Sequence, residues 1–265
     1  MLLLFLFLLV IWGWTHLAAL SLYARLWGKP RSWQRKAAAR WQVFWARLGH
    51  FLCRTVGGMR IVYDGPHPSE LPKGSGPYIV IGNHFGVFEG ILITLLLAEA
   101  GTGDFRPVSK MSVSKMPILG RAWKMLGAAF VVRDHRPEDI QAVATMAQQA
   151  EEDGANVLIF PEGTVYHRDK LGDGYRHVLP PRHGGFRRMV GLLPERSVLC
   201  VTMRWHDFDP YWLLAGEGVV PPGSGVSMSW RVLPPPGRED PGAYLDRVWR
   251  QVDDALDAAG GHGRS

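Results

Sequence analysis

Apolar positions recur along this chain at three spacings. From Leu2 to Leu20 they are almost continuous, and the first charged side chain is Arg25. A run of that length can span a bilayer core as a helix. Between Ser32 and Thr55, Trp33, Ala37, Trp41, Phe44, Trp45, Leu48, Phe51 and Leu52 return at helical spacing, with Arg35, Lys36, Arg40 and Arg47 mostly off that stripe. Further on, short apolar runs bounded by Gly and Pro predict strands at Arg60–Tyr63, Pro77–Gly82, Arg106–Ser109, Ala129–Arg133, Asn156–Phe160, Val198–Trp205 and Val226–Val232. Longer periodic stretches predict helices at Phe88–Ala100, Pro117–Leu126, Pro137–Asp153 and Pro241–Ala259. Strand and helix alternate. The expected fold is therefore α/β: a mainly parallel sheet flanked by helices, preceded by an N-terminal membrane-associated helical pair. Residues 1–56 form that pair, residues 57–259 form one domain, and residues 260–265 read as a disordered tail.

Charge sharpens the division. The chain holds 30 Lys+Arg and 24 Asp+Glu. Nine of the basic residues, and no acid, lie between Met1 and Tyr63. The remainder is slightly acidic, so the basic balance belongs to the N-terminal quarter. A nucleic-acid binder would carry basic charge on its folded body, and no such partner is expected. Trp on one side of a helix and Arg or Lys on the other suits the headgroup level of an anionic membrane. The basic cluster from Arg25 to Arg40 predicts that the domain on its C-terminal side is cytoplasmic. A cleaved signal peptide is the competing reading of the first segment. Against it, no basic residues precede the apolar run and no Ala-x-Ala-type site ends it.

Two strand ends carry the candidate chemistry. After Tyr78-Ile79-Val80-Ile81 comes Asn83-His84-Phe85-Gly86-Val87-Phe88-Glu89, and Val157-Leu158-Ile159 leads into Phe160-Pro161-Glu162-Gly163-Thr164. Ligand sites in α/β sheets lie outside the carboxyl ends of the strands, so the two segments could share one site. On a regular helix, residues five apart face about 140° away from each other. His84 and Glu89 can therefore meet only if His84 sits in the turn and Glu89 in the first turn of the helix. A carboxylate-oriented imidazole can accept a proton from a hydroxyl. A helix-capping Asn-His pair with a dipole-compensating Glu is the plainer alternative. Cys53 and Cys200 imply neither a disulfide framework nor a metal site. None of the ten His forms a His-Glu-x-x-His motif, and His167, His177 and His183 read as solvated loop residues, so no metal is expected. No Gly-x-Ser-x-Gly elbow occurs, which disfavours a hydrolase.

In combination these segments resemble the glycerophospholipid acyltransferases, the 1-acylglycerol-3-phosphate acyltransferase family, over residues 77–205. His84-x4-Glu89 is similar to the family's first motif, with Glu where Asp is usual. Val108-Ser109-Lys110 with Lys115-Met116-Pro117-Ile118-Leu119-Gly120, and Leu126–Arg133, are similar to the second motif and its approach. Phe160–Thr164 is similar to the third. Leu179-Pro180-Pro181-Arg182-His183-Gly184-Gly185-Phe186 resembles a stretch of the lysocardiolipin branch. The resemblance implies a membrane enzyme that moves an acyl group from an acyl thioester to the free hydroxyl of a lysophospholipid, most simply 1-acylglycerol-3-phosphate. It implies His84 as general base and Glu89 as its orienting acid. Arg133 and the Glu162-Gly163-Thr164 turn would take the acceptor's phosphate, with Glu162 organising the turn, and Lys110 is a further phosphate candidate. No cofactor is implied beyond the co-substrate, an acyl-CoA or acyl-carrier-protein thioester. Other lysolipid acceptors (a lyso-aminolipid, a lysocardiolipin, a glycolipid) and a non-catalytic lipid-binding homologue are the rival readings. Val165 stands where the family carries a basic residue, and Arg168 is the nearby substitute.

Overall fold

The structure, a computed structural model, describes residues 2–72, 74–86, 88–132, 137–166, 168–172, 174–206 and 223–260, without the side chains of residues 2–11, 14, 56, 57 and 168. Its elements run α1 (Leu2–Leu26), α2 (Arg31–Gly57), β1 (Arg60–Tyr63), β2 (Ile79–Gly82), α3 (Phe88–Glu99), β3 (Phe105–Lys110), α4 (Leu119–Leu126), β4 (Ala129–Val131), α5 (Pro137–Asp153), β5 (Asn156–Ile159), α6 (His183–Leu192), β6 (Val198–His206), β7 (Gly225–Leu233) and α7 (Pro241–Ala258). The seven strands form one sheet in the order β1-β7-β6-β2-β5-β3-β4. Every pairing is parallel except β6 with β7.

Helices cover both faces, and side-chain alternation along the strands divides the core in two. Ile79, Ile81, Val157, Ile159, Val198 and Cys200 face α5, α6 and α7, where Met146, Phe186, Val248 and Trp249 fill the layer. Val80, Leu158, Leu199, Val201 and Met203 face the other way, onto Leu92, Ile93, Leu96 and Leu97 of α3. Strands buried on both faces read as unbroken apolar runs. That is why β2 and β5 stood out in the sequence, and all four residues of each are buried.

One helix escaped the sequence reading. His183, expected in a polar loop, opens α6. Gly184, Gly185 and Gly191 weaken the local helical signal, since each Gly costs about 1 kcal/mol against Ala. Gly185 has a packing reason: a Cβ there would meet Ile159 Cδ1 at 2.5 Å. The tail expected from Gly260 lies, from residue 261 onward, outside the described residues.

The first two helices pack on the domain. Leu17 of α1 and Trp41 of α2 are buried with Ala122 of α4, and Ala38 and Ala39 close on Leu126. Gln42 Nε2 donates to Thr94 Oγ1 of α3 at 2.9 Å. Arg35, expected off the apolar stripe, is instead buried (8% exposed). Its guanidinium donates to both carboxylate oxygens of Asp153, through Nη2 at 3.0 Å and through Nε. Arg106, fully buried, also holds Asp153 at 2.9 Å and pairs with Asp104. The sequence placed Arg35 with the surface cations because its partner lies 118 residues away. Trp12, Leu22, Trp27, Phe44 and Phe51 remain exposed on the helical pair. Among the described residues no helix is long and apolar enough to cross a membrane. The side chains of most of the segment Leu2–Leu20, expected to span one, lie outside the described residues.

Candidate active site

β2 and β5 are parallel neighbours with Ile81 opposite Ile159, so the segments that succeed them leave the sheet side by side. Asn83 makes the exit from β2 possible. Its Nδ2 donates to Met203 O at 2.7 Å and its Oδ1 accepts from Met203 N–H at 2.8 Å. The side chain thus completes the ladder with β6, and the backbone is released into the turn. His84 N–H then donates to Glu162 Oε1 at 2.8 Å, and His84 O accepts from Tyr166 N–H at 2.8 Å. These bonds tie the two motifs together through their backbones.

The His84 ring stacks on Phe160, with centroids 4.2 Å apart and planes 13° from parallel. Its Nδ1 is buried and 3.7 Å from Glu89 Oε2, while the side chain as a whole is 21% exposed. Glu89 sits in the first turn of α3 and is fully buried. Its Oε2 accepts from Gly86 N–H at 2.6 Å and its Oε1 from Trp205 Nε1–H at 3.0 Å. The His–Glu separation is longer than a hydrogen bond.

Glu162 is buried, and its second oxygen accepts from Leu179 N–H at 3.0 Å. It therefore braces the His84 turn and the Leu179 loop rather than facing solvent. Burial pushes its carboxyl up to about 8, only partly offset by the two backbone donors, with the nearby Glu89 adding to the rise. A raised carboxyl favours the protonated native state, so its contribution to stability is present at low pH. That contribution is lost as pH climbs from about 4.5 toward about 8. The stability difference between wild type and Glu162→Gln should accordingly move in the variant's favour across that window. Urea unfolding at pH 5 and pH 8 measures it.

Gly163 turns the chain with φ 67°, a left-handed conformation that suits glycine. A Cβ there would also meet Arg182 Cδ at 2.8 Å, so the Arg182 side chain lies against this turn. Arg182 N–H donates to Pro161 O at 2.8 Å, which holds the start of α6 beside the third motif. Thr164 is half-buried in the same turn. Lys110 ends β3, is exposed and pairs with Val131 of β4. The β3–β5 register, carried forward, sets it level with Pro161. Arg133 and the side chain of Arg168 lie outside the described residues. Asn83, Phe160 and Arg182 lie inside the motif segments read from the sequence, but none was given a role in the site beyond Asn83 in the turn. Trp205 was read only as the end of a strand. No group of His, Cys, Asp or Glu among the described residues is placed to hold a metal ion.

A family model described as Acyltransferase matches residues 60–204. The chain is similar to the 1-acyl-sn-glycerol-3-phosphate acyltransferase of Pseudomonas aeruginosa, 26% identical over 180 residues, 67% of this chain and 61% of that protein. It is also similar to the 1-acyl-sn-glycerol-3-phosphate acyltransferase alpha of Homo sapiens, 28% identical over 133 residues, 50% of this chain and 42% of that protein. The match thus spans about half the length of these curated relatives. In fold, it is similar to the crystal structure of the 1-acyl-sn-glycerophosphate acyltransferase PlsC from Thermotoga maritima. The TM-score is 0.57 at 18% identity, over 95% of this chain and 96% of that one.

Proposed function

Because the chain belongs to the acyltransferase family, whose model covers more than half of its length, we propose that it transfers a fatty acyl group from an acyl thioester to the free hydroxyl of a lysophospholipid. The acceptor is most simply 1-acylglycerol-3-phosphate and the product phosphatidate. The observation that carries the reading is the partly exposed His84 imidazole at the strand ends, backed by the buried Glu89 carboxylate on its Nδ1 side.

In this reading Nδ1 carries the proton, turned toward Glu89, and Nε2 offers its lone pair to the acceptor hydroxyl. The hydroxyl oxygen attacks the thioester carbonyl carbon as its proton passes to Nε2. The Glu89 side chain, on the Nδ1 side, orients and stabilises the imidazolium so formed. Collapse of the tetrahedral intermediate breaks the C–S bond, and the leaving thiolate takes the proton back from His84. Each proton is returned, so no net acid or base is consumed and no acyl-enzyme is required. The acceptor phosphate falls to the Gly163-Thr164 turn, with Lys110 at the end of β3 as one cation and Arg133 as the other. A guanidinium can hold a phosphate through two parallel bonds. Arg182, lying against Gly163, adds a cation where Val165 supplies none.

The α1–α2 pair is proposed to hold the enzyme on the cytoplasmic face of an anionic membrane. Supporting this are the exposed Trp12, Trp27, Phe44 and Phe51 with Arg40 and Arg47 among them. Purified protein, assayed with acyl-CoA and with acyl-carrier-protein thioester against a panel of lysolipids, tests the activity. Release of free thiol that depends on a lysophospholipid supports it. Absence of transfer to any lysolipid, with the protein folded, refutes it.

A further inference from the structure

We infer that Trp205 is a positioning residue for this reaction: its indole N–H fixes the Glu89 carboxylate so that the opposite oxygen faces His84. The inference rests on the reading of His84 as the base. Glu89 and Trp205 are both fully buried. The carboxylate ends a torsion that is broad in glutamate, and Glu carries one methylene more than the Asp usual in the family. The side chain alone does not decide which way its oxygens point. Two donors decide it. Gly86 N–H binds Oε2 at 2.6 Å and Trp205 Nε1–H binds Oε1 at 3.0 Å, with His84 Nδ1 3.7 Å from Oε2. Gly86 alone would leave the carboxylate free to swing about one oxygen. Trp205 supplies the second fixed point.

Trp205 is itself held in place. It lies on β6, between β2 and β7, with Val226 as its register partner. Phe88 packs edge-on against its ring at 6.1 Å and 77°. With one donor on each oxygen the carboxylate has a single fixed orientation, and Oε2 is the oxygen turned toward His84 Nδ1. Trp205 therefore acts on the reaction through Glu89. The longer acid and the indole form a matched pair. An Asp at position 89 would draw the carboxylate back from Trp205.

Two replacements test this: Trp205→Phe, and benzothienylalanine in place of Trp205, which keeps the ring shape with sulfur for the N–H. With acyl-CoA and 1-acylglycerol-3-phosphate, kcat should fall about tenfold or more, as expected for removing a hydrogen bond to a buried carboxylate. KM for both substrates should stay within about twofold, since the effect runs through Glu89. In a Glu89→Gln background the same replacement should add less than about twofold, because the carboxylate it served is gone. Nitrogen-15 spectra of labelled indoles give a readout that needs no turnover: the Trp205 N–H resonance should move upfield in Glu89→Gln. An unchanged kcat for the benzothienyl protein overturns the inference. So does a full multiplicative loss in the Glu89→Gln background, which would mark a packing role. His84→Ala, run alongside, separates the two readings. If it turns over normally, the assignment of the base is what fails. If it is inactive while the benzothienyl protein is unaffected, only the role of Trp205 falls.

Discussion

His84→Ala should lower acyl transfer about a thousandfold, in the range that loss of a positioned general base produces. The loss should fall on kcat, with KM for both substrates little changed. The imidazole contributes to folding mainly through its stack on Phe160, worth about 1 kcal/mol. The urea midpoint should therefore shift only slightly. Asn83 and the backbone bonds from position 84 to Glu162 and Tyr166 do not involve the ring, so the turn survives the substitution. Initial rates of thiol release, measured beside a denaturation curve, check both parts. Turnover at the wild-type rate in a folded protein would show that the hydroxyl proton goes elsewhere.

The largest effect on stability is expected far from that site. Asp153 ends α5 and is shared by Arg35 of α2 and Arg106 of β3, both buried. Asp153→Ala removes the common acceptor, leaves the Arg35 guanidinium without a carboxylate partner and leaves Arg106 with Asp104 alone. Breaking a buried pair in this way costs about 3–5 kcal/mol. Burial by itself would raise the Asp153 carboxyl, but hydrogen bonds from Arg35 and Arg106 outweigh it and hold the carboxyl below its ordinary range. The stabilisation is therefore complete above the ordinary carboxylate range and disappears as pH falls through the lowered value. Wild type should lose stability on acidification more steeply than Asp153→Ala. Equilibrium urea unfolding at pH 7 and below pH 4 measures the cost and its pH dependence. A loss under about 1 kcal/mol at pH 7 would mean that α2 is not locked by this cluster.

What could be read from the sequence depended on how local each signal was. β2 and β5 are central and covered on both faces, so each appeared as an unbroken apolar run, and the motif behind each could be assigned to a strand end. The His84–Glu89 spacing became meaningful only through a strand-to-helix turn, and Gly86 N–H bound to Glu89 is the bond that forms that turn. α6 was obscured by Gly184 and Gly185, and Gly185 is needed so that the helix can approach Ile159. Arg35 and Trp205 were missed for another reason. Their partners are 118 and 116 residues away, and no hydrophobic period or short motif reports a pairing at that distance. Exposed Phe44 and Phe51 of α2 shared one periodic pattern with buried Trp41, because a single stripe serves both the neighbouring helix and the solvent side.

Asn83 carries a consequence for the chemical lifetime of the protein. Its amide meets Met203 with one donor and one acceptor, the pair that a peptide group would offer. Hydrolysis of that amide to a carboxyl exchanges a nitrogen for an oxygen and leaves the shape of the side chain nearly unaltered. An oxygen then opposes the Met203 carbonyl where an N–H had been, and two acceptors confront each other in a dry interior. A clash of that kind costs about 1–3 kcal/mol or more, and it falls on the residue that releases the chain toward His84. A protein aged at this one amide would differ from a fresh one by about a single mass unit, and the base would have lost its footing.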